Sequence, residues 1–494
     1  MRLRYGNKEF ANQEPEKILG VLKERIGDMQ FDEEIAKAVK HLASTDKTKT
    51  KTESEMKAVE DYVRATVLSS SYDFSKSESI ILNQSDKKRV VKQYSNIYSA
   101  ERILCQCIKQ ILDRTFKIKY PNRNKLVRSL FDTMKAVIQM ADFTIIKFDF
   151  KDYFNSVSTP YVFNKYLKQR LNNRFEMDLI RNFVEETKFA HAGFSTSNVI
   201  AEIIAQQFDV ALRLTLSRKK ILFFERYIDD SIIIINEHIE ENECHLLLND
   251  ILARIFHDNI DSLVPKCKTE FNNSKFVYIS HRDLTRTPKV IDFLGYEFTL
   301  SKGAKNKVQI KYGITQAKLK KYNKRIDALI RRYKEPVSPK NLYDTEYHNL
   351  ELLRHRIAAF TSRTVYQNRK YKSTVWKTKG FIGNYGELRY LLETPLIDAT
   401  TRNFLENMVD EAFIRASLNI PYFLKGATGK MGYSLFENMK KNKTLLLVEH
   451  IGYSKSALVK LCSQVEIYPV DKSGKNKGYA KLVREYLVKL KVGY

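Results

Sequence analysis

No run in this sequence approaches the roughly twenty consecutive apolar residues that a helix needs to cross a bilayer. The opening Met1-Arg-Leu-Arg-Tyr-Gly also lacks the apolar core of a secretory leader. The expectation is a protein that is neither membrane-spanning nor secreted. Cysteine is scarce as well: the five present are odd in number and scattered, with Cys105 and Cys107 the only close pair. No Cys-x-x-Cys or paired His/Cys spacing appears, which excludes a zinc module and a disulfide framework and points to reduced thiols in the cytoplasm. Acidic residues fall short of basic ones, 58 against 85, leaving a formal charge of +27. Such an imbalance suits a polyanionic partner, nucleic acid ahead of a membrane surface.

What is present is enough for packed cores. Apolar residues make up 43% of 494 positions, a length that favours two or three domains over one. Aromatics reach 12%, with 28 tyrosines, and suit base stacking as well as helix packing.

The most informative stretch is Tyr227-Ile228-Asp229-Asp230, between the apolar runs Ile221 to Phe224 and Ile232 to Ile235. Runs of that length, rich in β-branched and aromatic residues, predict a β-hairpin with both acids at its tip. Adjacent carboxylates repel, and a divalent cation relieves the repulsion; hard oxygen ligands favour Mg²⁺. The plain alternative is a solvated Asp-Asp turn. A second apolar run, Phe143-Thr-Ile-Ile-Lys-Phe, ends at Asp149, with Phe150, Asp152 and Phe154 following. If that strand lies beside the hairpin, three acids would hold two Mg²⁺ ions roughly 4 Å apart, with Mn²⁺ as a substitute. The Phe150 carbonyl would complete one shell. Phe154 would then lie under an incoming sugar and select deoxynucleotides, against ordinary core packing as the alternative. Asp152 is either a phosphate-facing cap or a surface acid.

Three weaker signals surround these. Lys87-Lys88-Arg89-Val-Val-Lys92 alternates basic and apolar residues before a helix, so Lys88 and Arg89 would grip a triphosphate or simply line a solvated face. Ala192-Gly193-Phe-Ser-Thr-Ser197-Asn198 predicts a turn in which Gly193 lets backbone approach a ligand while Ser197 and Asn198 cap the next helix. Lys268 is a candidate to reach the triphosphate. Phe293-Leu294-Gly295-Tyr296 opens a further strand, followed by a turn near Ser301 to Lys307 and a return strand from Val308.

In this order, over residues 80 to 300, the series resembles the fingers and palm of reverse transcriptases. The resemblance implies Asp149, Asp229 and Asp230 as metal ligands, Phe154 as sugar gate, Lys88 or Arg89 on phosphates, and Phe293 to Tyr296 as primer grip. It implies an α+β fold with an antiparallel palm sheet backed by helices, and RNA or DNA and dNTPs as partners. Departures narrow it: the glycine turn reads His191-Ala192-Gly193 where many such enzymes carry Pro-Gln-Gly, and no retron element or zinc-bearing tail is found. The turn and the long tail look more like bacterial abortive-infection and unknown-group defence enzymes, which implies an antiphage role. Copying of one cognate non-coding RNA is the alternative activity, and a silent RNA-binding scaffold the non-enzymatic one. Homo-oligomerisation is left open.

From about residue 314 the pattern turns helical: Tyr322, Ile326, Leu329, Ile330 and Tyr333 share a face, and comparable spacing recurs at Leu405 to Phe413 and Leu482 to Leu490. The expected segmentation is 1–75 helical, 76–140 fingers, 141–312 palm and 313–494 an all-α C-terminal domain. Tyr494, at the end of the chain, is a candidate protein primer on the same resemblance.

Overall fold

The computed structural model describes residues 31–46, 51–84, 87–259, 263–334, 342–370, 373–421, 434–471 and 473–490. The first thirty residues of the expected helical segment 1–75 and the candidate primer Tyr494 lie outside them. The chain separates into two compact units, each assembled from several stretches.

The first unit takes residues 1–120, 148–218 and 240–276. Its helix over residues 31–45 buries Ile35, Val39 and Leu42, spaced along one face as the sequence requires. The next helix, Glu53–Leu68, starts at a capping box: the Thr52 hydroxyl accepts from the Glu55 amide while the Glu55 carboxylate accepts from the Thr52 amide. The strands β1 (Glu78–Gln84) and β2 (Lys87–Gln93) form an antiparallel ribbon. Behind it, helix Ala100–Thr115 packs on helices Arg174–Thr187 and Ser195–Thr215. Ile103, Leu104, Ile108 and Ile111 on the first of these helices and Val199, Ile200, Ile203 and Phe208 on the last are almost fully buried. Arg114 ties helix 31–45 to this body, bridging the buried carboxylates of Glu34 at 2.6 Å and Glu176 at 2.9 Å. Such a cation offsets two desolvated acids that would otherwise be costly.

The second unit takes residues 121–147, 219–239 and 277–494. One of its sheets has the order β4-β5-β3-β6, with β3 (Thr144–Asp149, whose last two residues belong to the first unit), β4 (Ile221–Tyr227), β5 (Asp230–Ile235) and β6 (Val277–Ser280). A second sheet runs β7 (Lys289–Phe293), β8 (Tyr296–Lys302), β9 (Val308–Ile314), all antiparallel. Helix Arg123–Val137 presents Leu126, Leu130, Phe131 and Met134 to the core. The Phe131 ring meets Tyr296 edge-on at 5.0 Å and Phe298 at 5.3 Å. Helix Gln316–Lys334 buries Tyr322, Ile326, Leu329 and Ile330 as its spacing demands.

The all-α expectation for the C-terminal third is corrected. Beside helices Ala399–Arg415 and Tyr479–Leu490 stands a three-stranded sheet, order β11-β10-β12, of β10 (Arg363–Lys370), β11 (Ser373–Lys379) and β12 (Thr444–Leu447). β10 and β11 pair antiparallel, whereas β12 joins β10 in parallel. Thr364, Val365, Tyr366, Thr374, Val375 and Trp376 are strand formers, and the dense Lys and Arg between them masked that preference. Among the described residues no helix is long and apolar enough to cross a membrane.

Candidate functional site

In the second unit, the predicted acid-tipped hairpin forms. Tyr227 pairs with Asp230, so Ile228 and Asp229 alone make the turn. A two-residue hairpin needs left-handed backbone, and here it falls on Ile228, at φ +65°. A β-branched residue there is strained. The buried Arg226 braces the turn, its guanidinium donating to the Ile228 carbonyl at 2.8 Å. Ile228→Asn, which tolerates that backbone, is expected to raise stability by about 1 kcal/mol, read as a higher urea midpoint. An unchanged or lower midpoint contradicts the strain.

β5 is buried along Ser231 to Ile235, which anchors the turn on a rigid strand. Lys147 of β3, 4% exposed, lies 3.7 Å from an Asp230 oxygen and 2.7 Å from one of Asp292. Lys147 escaped sequence reasoning, yet a signal was there. It is the one charged residue inside an apolar run, two positions before Asp149 and so on the same strand face.

Phe293 to Tyr296 form the second tight turn, with Leu294 at φ +52° and Gly295 at φ +87°. Phe293 and Tyr296 are core residues. Arg123 donates to the carbonyls of Leu294 at 2.7 Å and Asn384 at 2.9 Å, and the Tyr296 hydroxyl donates to the same Asn384 carbonyl at 3.0 Å. Burial, then the neighbouring Lys321, Arg123 and Arg325, hold the Lys318 ammonium below the usual lysine range. A basic cluster therefore surrounds this turn.

In the first unit, Asp149 is 5% exposed and accepts from Lys275 Nζ at 2.6 Å. The next residue, Phe150, is buried among Tyr153, Phe208, Phe256 and Phe271, stacked on Phe271 at 5.5 Å. Asp152 is exposed, takes left-handed backbone at φ +44°, and accepts from the Asn155 amide at 2.8 Å.

Phe154 and Gly193 line one cavity of about 320 Å³, joined by Arg102, Gln93, His41 and Asn198. Arg102 was overlooked because the denser basic run at Lys88 and Arg89 drew attention first. Those two residues sit on β2, and their side chains lie outside the described residues. Cys105 also borders the cavity, its thiol pushed up to about 12 by burial and hence inert.

Gly193 does serve a close approach of backbone. What approaches it is the chain's own backbone: a Cβ there would stand 2.1 Å from the Lys92 carbonyl oxygen, and the Lys92 amide donates to the Ala192 carbonyl at 2.7 Å. The capping expectation is corrected. The helix begins at Ser195 with Phe194 as N-cap, and Ser197, 1% exposed, donates from its hydroxyl to the His191 carbonyl and so holds the turn from inside. Lys268 is exposed, its ammonium 5.2 Å from the Phe189 ring centre.

His191 is kept below the ordinary histidine value by burial first and Lys92 second, against smaller opposing effects of the Thr187 backbone and Asp152. Its folded form is neutral where the unfolded chain still binds a proton. The contribution is therefore complete above the unfolded value of about 6.5 and is lost as pH falls from there towards the lower folded value. Urea midpoints at pH 7.5 and 5.5 are expected to differ less in His191→Asn than in the parent; an equal difference contradicts this.

As donors, the carboxylates of Asp149, Asp229 and Asp230 suit a hard divalent cation. In the structure Lys275 donates to Asp149, and the Lys147 ammonium stands 3.7 Å from Asp230 as an ion pair without a hydrogen bond. Among the described residues, no group of three or more His, Cys, Asp or Glu side chains is gathered as a ready-made metal site.

No protein-family model matches the chain. A search of curated proteins also finds no match. Solved structures give distant, partial likenesses. Telomerase from Candida albicans in complex with a TWJ fragment of telomeric RNA is 13% identical, covering 57% of this chain and 53% of that one, at TM-score 0.33. A C-terminally truncated apo telomerase from Candida tropicalis is 12% identical, with coverage of 48% and 55% at TM-score 0.31. The Candida tropicalis telomerase with a TWJ fragment is 10% identical, with coverage of 60% and 56% at TM-score 0.31. The chain thus spans about half the length of these proteins, and likeness at this level bears on neither activity nor substrate.

Proposed function

We propose that the chain is a DNA polymerase of the reverse-transcriptase type, RNA-directed or template-independent, that adds deoxynucleotides to a hydroxyl. One observation carries the reading. Asp229 and Asp230 occupy the turn and the first residue of the β4–β5 hairpin, and the strand next to β5 in the sheet ends at Asp149. Strand order of this kind supports three carboxylates drawn from two strand ends.

On this reading Asp149, Asp229 and Asp230, with the Phe150 carbonyl, would hold Mg²⁺ or Mn²⁺. Bound metal would supply charge neutralisation for in-line phosphoryl transfer. Lys275 and Lys147 neutralise Asp149 and Asp230 in the structure and would give way to the stronger cation. Phe154, on the wall of its cavity, would exclude a 2′-hydroxyl, and Arg102 on the same wall would offer a bidentate fork to phosphate. The basic turn at Leu294-Gly295 would steady a primer backbone. The antiphage setting rests on the sequence resemblance of the glycine turn to defence enzymes.

The test is purified protein with labelled dNTPs and Mg²⁺ or Mn²⁺, with and without primed RNA. Incorporation is expected. Its absence under every condition would favour the RNA-binding scaffold instead.

A further inference from the structure

Residues 363–379 hold six Lys or Arg, three aromatics and no Asp or Glu. Within them β10 and β11 pair as an antiparallel ribbon, with β11 at the edge of its sheet. Every residue from Thr374 to Lys379 is exposed. Among them is Trp376, the only tryptophan in the chain, 52% exposed. Edge-strand lysines guard against unwanted strand pairing, but that purpose is poorly served by an exposed indole and an exposed Val375.

Alternation places Trp376 on one face with Thr374 and Thr378, and Lys377 and Lys379 on the other. Across the ribbon Trp376 faces Gln367, whose slim amide leaves the indole uncovered, while Lys377 faces Tyr366. Lys379 Nζ stands 5.8 Å from the Tyr366 ring centre. The edge of the sheet thus carries an exposed indole on one face and two lysines on the other, with no carboxylate on the ribbon to repel a phosphate.

We propose that this ribbon is a binding platform for single-stranded nucleic acid, with a base stacked on Trp376 and the sugar-phosphate backbone passing over the open β11 edge to Lys377 and Lys379 on the other face. Stacking on an aromatic face combined with a basic track is how single strands are held without sequence preference. A duplex keeps its base faces covered, so unpaired strands are favoured. The inference goes beyond the polymerase reading and does not depend on it.

Trp376 is its own reporter. The full-length protein carrying Asp229→Asn is titrated with oligothymidylate and oligouridylate while indole emission is followed. Saturable quenching, weakened by salt, is expected. Trp376→Leu, followed by anisotropy of a labelled oligonucleotide, should bind about tenfold more weakly. Lys377→Glu combined with Lys379→Glu should weaken binding by about tenfold or more and flatten the salt dependence. Oligonucleotide binding that leaves indole emission unchanged and survives both variants would overturn the proposal. So would emission that tracks self-association in sedimentation, because a second copy would then be the occupant. Quenching in this variant, together with no dNTP incorporation by the parent protein, would sink the polymerase reading and leave the ribbon standing.

Discussion

Asp229→Asn is expected to lower dNTP incorporation by about a thousandfold or more while leaving the thermal midpoint nearly unchanged. Asp229 lies at the second position of a two-residue turn, partly exposed, and Asn keeps the same shape and tolerates the same backbone. The fold therefore loses little. What is lost is one negative charge from a set whose purpose, on the proposed reading, is to hold divalent cations, and an amide oxygen is a much weaker ligand for them. Near-normal primer extension by this variant would show that the turn is a solvated Asp-Asp pair. A variant that fails to fold would instead show that the turn is held by the charge itself, and circular dichroism separates these results.

Gly193→Ala is expected to destabilise the protein by about 3 kcal/mol, among the larger effects a single methyl can have. Two penalties coincide there. The backbone at φ +114° is disfavoured for any side chain, and the added Cβ would stand 2.1 Å from the Lys92 carbonyl oxygen. That oxygen belongs to β2, which cannot retreat without losing the hydrogen bond from the Lys92 amide to Ala192. Gly474 supplies the control: its φ is +78°, but a Cβ there would meet nothing within 4 Å. Gly474→Ala should cost only the backbone term, about 1 kcal/mol. Urea denaturation of both variants checks the comparison, and equal losses would remove the steric half of the explanation.

The elements that were legible in the sequence are those whose signal is local. The hairpin around Asp229 was readable because two strand-forming runs are separated by only a few residues, and helix Gln316–Lys334 because its apolar spacing is uninterrupted. Gly193 was singled out for a sound reason, the need for close approach, but what approaches is a tertiary matter, and a strand from elsewhere in the chain fills that place. Ser197 looked like a cap because Ser and Asn prefer caps, yet its burial lets the hydroxyl serve the preceding turn. Lys147 gains its role only when neighbouring strands are in register, which no single stretch declares. In the C-terminal third, charge density hid strand propensity. The β10–β11 ribbon carries its apolar residues between lysines and arginines, a pattern that equally fits a solvated helix.

The most direct test of the central claim is Mn²⁺ binding followed by electron paramagnetic resonance, on the parent protein and on Asp149→Asn, Asp229→Asn and Lys275→Met. If the ends of β3 and the β4–β5 hairpin serve one cation centre, the parent binds Mn²⁺ and either Asp variant loses that binding. Lys275→Met, relieved of the ammonium on Asp149, binds more tightly. Mn²⁺ binding that persists unchanged in both Asp variants, or that is absent from the parent, contradicts the account.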